Sequence, residues 1–352
     1  MSSSTTKIFF YIPEKEFPSI LPDKKELFWQ WHHSTEFKYY SGKYNWTLQT
    51  YLALKSTPLQ CVLTSTLPDA GLIIAHRDFL PFHLKPNFNQ FLVCIQADRP
   101  VHPYAQVHLV QNPLDEKLLQ RNPLWQSQYI PFWSQPGLIP RRQERGARLE
   151  NVVFLGIRHN LDPQLKSPKW QEQLAKLGLV WKVVPRSEWN DYSEIDVVIA
   201  VRRFDYQGEF LRKPPSKLVN GWLAGVPVIV GQESAYQALY QSEKDYIEVT
   251  SIDETLDALK QLRDDHSLWQ EMVENGHRRA QAYTHDTIKA QWQEFLTAIA
   301  IPGYLQWQAA SQIDKQCFLW RRYMEIRKAG IQRRLSAIIP LISKPSQDST
   351  WD

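Results

Sequence analysis

The stretch KPPSKLVNGWLAGVPVIVG, residues 213–231, decides the fold predicted for the second half of the chain. Its two prolines cannot lie inside a helix, and they favour an extended backbone before one begins. Ser216 follows them as a natural N-cap, because its hydroxyl can accept a hydrogen bond from an otherwise unpaired backbone N–H. Gly225 suits the left-handed residue that closes a helix, and Pro227 prevents the helix from continuing. The sequence therefore predicts a helix that begins at Ser216 and closes at Gly225.

The residues around this helix predict a strand after it and an anion at its start. VPVIVG, residues 226–231, is a short apolar run rich in β-branched residues, which is typical of a strand covered on both faces. Lys217 lies in the first turn, where the helix dipole disfavours a cation by roughly 0.3–1 kcal/mol. A bound anion removes this penalty, so Lys217 and the backbone N–H groups of the first turn predict a phosphate site. The alternative is that Lys217 points into water.

Both halves of the chain alternate β runs with helical segments. In the first half, a helix is predicted at 45–56 and strands at 7–13, 61–66, 71–76, 91–96 and 106–111. In the second half, strands at 151–157, 179–184 and 196–201 lie between predicted helices. This alternation is typical of parallel, doubly wound sheets, in which ligands bind outside the carboxyl ends of the strands. The loops after Gly156, Val201 and Val230 are therefore expected to converge on one crevice.

The segment between the two halves predicts a linker. Residues 131–151 are rich in proline, glycine and arginine and show no helical or strand period. At 352 residues, the chain is long enough for two domains that each bury a core of their own. The sequence therefore predicts two α/β domains joined by this segment.

The end of the chain predicts a basic amphipathic helix over residues 311–342. The residues expected on its apolar face are Ile313, Cys317, Trp320, Met324, Ile331, Leu335, Ile338 and Ile342. Such a helix can lie on anionic lipid, and the alternative is that its apolar side packs back on the protein. The Pro302–Gly303 pair before it is expected to act as a hinge.

Charge, cysteine content and hydropathy narrow the functional classes. Residues 302–352 contain eight Lys or Arg and four Asp or Glu, and the rest of the chain is balanced, so nucleic-acid binding is not expected. The three cysteines are far apart and match no metal-site spacing, which favours a reducing compartment. The first residues do not resemble a signal peptide, and no run is apolar enough to span a membrane. A cytoplasmic protein is therefore expected.

With these features, the chain resembles the nucleotide-sugar-dependent glycosyltransferases of the GT-B fold that have a group 1 type C-terminal domain. The resemblance is centred on residues 213–231 and extends over about 151–300. It implies two Rossmann-like domains that face each other across a cleft, here an acceptor-side domain at 1–140 and a nucleotide-sugar-binding domain at 141–301. The basic helical tail at 302–352 completes the expected organisation.

The resemblance also implies residues that bind the donor. The loop LGIRHN places Gly156 and Arg158 where the family often has a Gly-Arg pair that meets the donor diphosphate. Lys217 and the N–H groups near Ser216 are expected to bind phosphate as well. Asn220 stands where the family typically carries a ribose-binding Glu, and an amide can also bond a ribose hydroxyl. Arg212 stands where the earlier Glu of the family pattern would fall, so this chain departs from the family there.

Three further residues are candidates by their position after strands. Glu233 and Ser234 directly follow the run 226–231, where the donor sugar or phosphate is expected, although Ser234 is also suited to cap the following helix. His76 ends a predicted strand of the first domain and is a candidate general base for an inverting transfer. The alternative for His76 is that it caps a turn.

The expected function is transfer of a sugar, as by a hexosyltransferase, from a nucleotide-diphosphate donor to a glycan or lipid-linked acceptor of a cell-envelope polysaccharide. No metal is expected, because no Asp-x-Asp motif is present, and no cofactor is expected, because the nucleotide sugar is a substrate. The protein is expected in the cytoplasm, peripheral on the inner membrane face through the 311–342 helix. The alternative is a non-catalytic GT-B-like scaffold that binds a nucleotide or a glycan at the membrane surface.

Overall fold

The computed structural model describes residues 6–34, 42–122, 124–146, 148–205 and 210–338, with side chains described up to Lys328 in the last helix. The chain forms two compact units, of which the first comprises the described parts of Met1–Pro131 and Lys289–Asp352 and the second Phe132–Ile288. These limits differ from the predicted domains 1–140, 141–301 and 302–352. The ring of Trp292 packs edge-on against Trp46 of the first unit, which explains why the segment after Ile288 belongs there.

Eleven strands form two sheets within the described residues. They are β1 Lys7–Tyr11, β2 Gln60–Thr64, β3 Gly71–His76, β4 Gln90–Ile95, β5 Val107–Val110, β6 Gln126–Tyr129, β7 Asn151–Leu155, β8 Val180–Val184, β9 Val197–Ala200, β10 Val228–Val230 and β11 Ile247–Glu248. The α-helices are α1 Phe28–Ser34, α2 Gly42–Tyr44, α3 Thr50–Leu54, α4 Pro113–Gln120, α5 Pro168–Lys176, α6 Ser216–Ala224, α7 Ser234–Gln237, α8 Ile252–Asp264, α9 His266–Ala280, α10 His285–Glu294, α11 Ile301–Ala309 and α12 Gln312–Ile338. Segments Asn45–Gln49 and Phe295–Ala300 are π-helical. Short 3₁₀ helices lie at Glu14–Glu16, Lys25–Leu27, Arg77–Phe79, Gln143–Arg145, Arg158–Asn160, Gln164–Lys166, Arg186–Glu188 and Gln281–Tyr283.

The first unit contains a parallel sheet of six strands in the order β2-β1-β3-β4-β5-β6. The strands predicted in this half are all present, and β6 is an additional edge strand that sequence analysis missed. Its sequence, QSQY, is polar, and an edge strand with one exposed side carries no apolar pattern. The strand order reverses between β1 and β3, and His76 is the last residue of β3.

The second unit contains a parallel sheet of five strands in the order β11-β10-β9-β7-β8. Helices cover both of its faces: α6 contributes Leu218 and Trp222 to the core on one face, and α5 and α8 contribute Trp170 and Leu259 to the core on the other. Two α/β units, each built on a parallel sheet, confirm the predicted fold class. The strand order reverses between β7 and β9, and in such sheets a ligand crevice lies outside the carboxyl ends of the strands at that point.

Helix α6 begins at Ser216 and closes at Gly225 as predicted, and it differs from the prediction only in its N-cap. Gly225 adopts a left-handed conformation, with φ of 70°, and closes the helix. The N-cap is Pro215 rather than Ser216, because the Pro215 carbonyl accepts the hydrogen bond from Val219 N–H and Ser216 is already helical. The Ser216 hydroxyl makes no capping hydrogen bond. The predicted N-cap role of Ser216 is therefore wrong.

The segment predicted as a linker is fixed to the second unit. The backbone N–H of Ile139 donates to Asn190 O over 2.8 Å, and Arg141 N–H donates to Ala224 O over 3.0 Å. The guanidinium of Arg141 also bonds the carboxylate of Asp196, just before β9. These bonds make the segment part of the amino-end edge of the sheet.

The predicted hinge at Pro302–Gly303 is wrong. Both residues lie in α11, and helical structure runs from His285 through the π-helical segment to Ala309. Pro302 is in the first turn of α11, where its missing N–H is tolerated. The chain turns instead at Ala310, whose ψ is 145°, and Ser311 caps α12 by accepting from Asp314 N–H. Among the described helices, none is long and apolar enough to span a bilayer.

Candidate functional site

The strongest candidate site lies at the carboxyl ends of the second unit's strands. Gly156 follows β7, Arg202 comes two residues after β9, and Glu233 comes three residues after β10. These are the strands on either side of the point where the strand order reverses, together with their neighbour. The first turn of α6 brings Lys217 to the same place. Arg202 hydrogen-bonds Glu233, which joins the loops after β9 and β10, and Lys217 packs on Gly156 after β7. These contacts support the prediction that the three loops converge.

Lys217 packs against the loop that follows β7. A Cβ atom built on Gly156 would lie 3.2 Å from Lys217 Cε and 2.8 Å from the Phe154 ring, so only glycine fits between them. The Lys217 ammonium lies 5.3 Å from the centre of the Phe154 ring. Among the described residues no carboxylate forms a salt bridge with this ammonium. Lys217 is therefore a partly buried cation whose closest described partner is an aromatic face.

Arg202 and Glu233 form a buried ion pair beside Lys217. Arg202 Nε donates to Glu233 Oε2 over 3.0 Å, and the Glu233 side chain is only 2% exposed. The other carboxylate oxygen, Oε1, is buried and has no hydrogen-bond partner among the described residues. An unpaired buried oxygen is unfavourable, so it marks a place where a ligand hydroxyl or N–H would be stabilising.

The electrostatics of Lys217 follow from this packing. Burial, helped by Arg202 and Lys213 and opposed by Glu233, lowers the pKa of its ammonium to about 7. Near neutral pH the protonated and neutral forms are then close in free energy. An anion at the site would favour the protonated form, so the site is suited to a negatively charged ligand.

The remaining predicted donor residues lie around this cluster. Arg158 begins a 3₁₀ turn after β7, and its side chain is exposed. Asn220 is buried one turn after Lys217, and its Oδ1 already accepts the Gln135 N–H over 3.0 Å. Ser234 is the buried first residue of the four-residue helix α7. Glu233 is the N-cap of α7, so the alternative that Ser234 caps this helix is wrong.

His76 lies in the first unit as the buried last residue of β3. Its Nδ1 accepts the backbone N–H of Asp78 over 3.1 Å, which is the turn-capping role offered as the alternative. Burial lowers the pKa of His76 to about 4, although Asp78 and Asp98 oppose the shift. Because Nδ1 accepts this bond, the proton of the neutral ring is on Nε2. A role as general base would require that bond to break.

Sequence analysis missed Arg202 as a site residue. The signal was present, since Arg202 comes directly after the predicted strand 196–201 and thus at a carboxyl end of the sheet. Its pairing with Glu233 joins two loops that are 31 residues apart, and no local pattern reports such a contact. Within the described residues, no group of three or more His, Cys, Asp or Glu side chains is arranged to hold a metal ion.

Comparisons with known proteins give one family match, over part of the chain. Residues 160–297 match a family model described as glycosyl transferase-like. No curated protein matches the chain. Among solved structures, the chain is similar to sucrose-phosphate synthase from Thermosynechococcus elongatus, with 14% identity, 83% of this chain and 88% of that chain covered, and a TM-score of 0.47. It is also similar to Anabaena Alr3699/HepE in complex with UDP-glucose, with 12% identity, coverage of 84% and 100%, and a TM-score of 0.46.

The family match includes most of the second unit, with Arg202, Lys217 and Glu233, and it begins after Gly156 and Arg158. It confirms the predicted resemblance to glycosyltransferases over this segment. The same family match confirms the prediction of a transferase.

Proposed function

From the glycosyl transferase-like segment and the cluster at its sheet edge, we propose that the protein transfers a sugar from a nucleoside-diphosphate donor to a glycan or lipid-linked acceptor. The observation that carries the proposal is Lys217, which lies unpaired by any described carboxylate in the first turn of α6 and against Gly156. A helix N-terminus and a cation at one point favour a bound diphosphate.

The chemistry follows from where charge develops. When the bond between the sugar and the diphosphate breaks, negative charge grows on the leaving phosphate oxygens. The Lys217 ammonium and the first-turn N–H groups of α6 are fixed in place before the reaction, so they stabilise this charge without reorganisation. Gly156 lets the loop after β7 approach the same phosphate closely. We expect the transfer to need neither a metal ion nor a further cofactor.

Glu233 has two roles in this proposal. Through Oε2 it holds Arg202 in place, and through the unpartnered Oε1 it can accept a hydrogen bond from a donor sugar hydroxyl. Ser234 and Arg158 remain candidates for further donor contacts. The Asn220 amide is engaged by Gln135 through Oδ1 and also hydrogen-bonds Tyr192, so contact with a ribose would require one of these bonds to break.

The proposed acceptor side lies in the first unit, which contains His76. His76 remains the candidate base of an inverting transfer, with the tautomer change that its bond to Asp78 requires. A cell-envelope glycan or a lipid-linked saccharide is the proposed acceptor, reached at the cytoplasmic face of the membrane. The basic tail is proposed to hold the protein there.

The test compares ligands with and without phosphate. Thermal shift is measured with UDP, GDP and ADP and with the matching nucleosides, on the wild type and on Lys217→Ala. Wild type is expected to be stabilised by at least one diphosphate and much less by its nucleoside. Lys217→Ala should lose the difference between the two, and equal loss for both ligands would rule out the phosphate role.

Lys169→Ala is the matched control. Lys169 occupies the same second position of α5, in the same unit, but its side chain is exposed. Lys169→Ala removes only the unfavourable interaction of a first-turn cation with the helix dipole, so it should keep diphosphate binding. If Lys169→Ala weakens binding as much as Lys217→Ala, the effect is one of general charge.

A non-catalytic nucleotide- or glycan-binding scaffold is the second candidate. It is favoured by Asn220, which replaces the family's acidic residue and is engaged with Gln135. Such a protein would bind the diphosphate yet neither hydrolyse nor transfer the sugar of any nucleotide-sugar donor. Turnover of a donor, measured as nucleotide release with and without EDTA, separates the two and also tests metal independence.

A further inference from the structure

Helix α12 exposes four of the residues that were predicted on its apolar face. Ile313 is 75% exposed, Trp320 58% and Met324 45%, and Cys317 is exposed as well. Their spacing places them on one helical face. The alternative given by sequence analysis, that this apolar side packs back on the protein, is wrong for these residues. The side chains of Ile331, Leu335 and Ile338 are outside the described part, as is all of Ile342.

The opposite face of α12 is docked on the first unit through cations. Arg322 is 1% exposed, and its guanidinium lies 4.0 Å from the ring centre of Trp125 and 4.8 Å from that of Phe318. Its Nη2 donates to Ala105 O over 3.5 Å, whereas Nε and Nη1 have no partner among the described residues. Lys315, two helical turns before Arg322 on the same face, is also buried. The docked side of the helix therefore carries two buried cations beside the partly buried Phe318, whereas Ile313, Cys317, Trp320 and Met324 face outward.

Charge around the exposed face selects the kind of partner. Arg321, Arg327 and Lys328 are exposed beside the apolar residues. A second copy of this face would bring like charges together, which is unfavourable. An anionic bilayer instead attracts the cations and accepts the apolar side chains.

We propose that α12 stays docked by Arg322 while its outer stripe, Ile313, Cys317, Trp320 and Met324, enters the headgroup region of an anionic membrane. The inference rests on the proposed membrane association and adds to it which face enters lipid and that the helix remains attached. The stripe would then hold the first unit against the bilayer as a rigid part of the fold.

Flotation with vesicles tests the stripe. The full chain is mixed with phosphatidylcholine vesicles that contain phosphatidylglycerol or lack it. We expect flotation only with the anionic vesicles, and at least a tenfold weaker binding for the double variant Ile313→Glu, Met324→Glu. The matched control is Ile20→Glu, Leu27→Glu, in the same unit, since these residues are 73% and 42% exposed. Equal binding of stripe variant and wild type, or equal loss in the control, would overturn the proposal.

A label on Cys317 tests insertion directly. Cys317 is exposed, whereas Cys94 is buried and Cys61 is partly buried, and burial raises the pKa of their thiols to about 12 and about 11, respectively. A polarity-sensitive dye attached to Cys317 should shift to the blue on anionic vesicles, and resistance of the tail to protease should be unchanged. A floating protein without the blue shift, or a tail that becomes protease-sensitive, would contradict a docked, inserted helix.

Other outcomes assign the stripe elsewhere. A concentration-dependent dimer that the stripe variant abolishes would show that a second copy covers the stripe, and it would overturn the membrane proposal. The UDP thermal shift is measured on every variant, and it should not change. Failure of flotation with an intact UDP shift would therefore refute membrane docking and leave the proposed transferase activity standing.

Discussion

The two ends of the five-stranded sheet in the second unit hold charge in opposite ways. At the amino end, the Asp196 carboxylate is fully buried and accepts from Arg141, Arg145 and the backbone N–H groups of Glu150 and Asn151. At the carboxyl end, Lys217 has no described carboxylate partner and Glu233 keeps an unpaired oxygen. A satisfied buried charge therefore serves the fold, whereas an unsatisfied one at a strand-order reversal is available to a ligand.

The pKa shifts of the two ends agree with this difference. Burial alone would raise the pKa of Asp196, but hydrogen bonds from Arg145, from two backbone N–H groups and from Arg141 lower it overall. Burial and the nearby Arg202 together lower the pKa of Lys217 to about 7. The amino end therefore favours its charged state, whereas the carboxyl end disfavours it until an anion is bound.

The largest expected effect is at the amino end. Asp196→Ala removes the carboxylate that two buried guanidinium groups share; Arg145 keeps Glu194 and Glu150, whereas Arg141 keeps no carboxylate among the described residues. Breaking a buried ion pair on one side typically costs about 3–5 kcal/mol. The free energy of unfolding, measured with urea, should fall by this amount. Asp205→Ala, which removes an exposed pairing with Arg203, is the control and should leave the urea midpoint unchanged. A loss of stability in Asp196→Ala no larger than in this control would contradict the claim that the buried Asp196 carboxylate stabilises the fold.

A smaller effect of opposite sign is expected at the carboxyl end. Lys217→Met keeps the aliphatic packing on Gly156 and removes a desolvated cation, so it should raise the free energy of unfolding by roughly 1–4 kcal/mol. Because the folded pKa is about 7 and the ordinary value is 10.5, the unfolded chain binds the extra proton between these values. The destabilisation by Lys217 is thus complete below pH 7 and is relieved as pH rises toward 10.5.

The pH dependence of this destabilisation distinguishes a desolvated cation at Lys217 from a structural one. Urea unfolding of wild type and Lys217→Met, without ligand, is measured at pH 6.5 and pH 9. The advantage of the variant should be larger at pH 6.5. A variant that is less stable than wild type at both values would show that Lys217 is a structural cation like the arginines around Asp196.

Much of the fold was predictable because its signals are local. The proline-led start, the left-handed Gly225 and the apolar run after Pro227 defined α6 and β10, and β-branched runs defined the other buried strands. The polar edge strand β6 carried no such signal. The N-cap at Pro215 was missed because the carbonyl that closes the first turn belongs to the backbone and leaves no trace in side-chain identity.

The site and the tail were predictable only in part. Lys217, Gly156 and Glu233 were found from their positions after strands or in a first helical turn, whereas the ion pair of Arg202 depends on two distant loops. The helix α12 itself was predicted, but the spacing of apolar residues along a sequence does not say which face docks. That choice depends on Trp125 and Phe318 holding the Arg322 guanidinium, a contact set by tertiary structure.

Proton uptake on diphosphate binding tests the central claim most directly. Titration calorimetry with UDP, or with the diphosphate found by thermal shift, is run at pH 8 in two buffers of different ionisation enthalpy. An ammonium whose pKa is about 7 when free is mostly neutral at this pH and becomes charged beside a phosphate. Wild type should take up about one proton per bound ligand more than Lys217→Met does. Equal uptake by wild type and variant, with equal affinity, would contradict the claim that Lys217 receives the diphosphate.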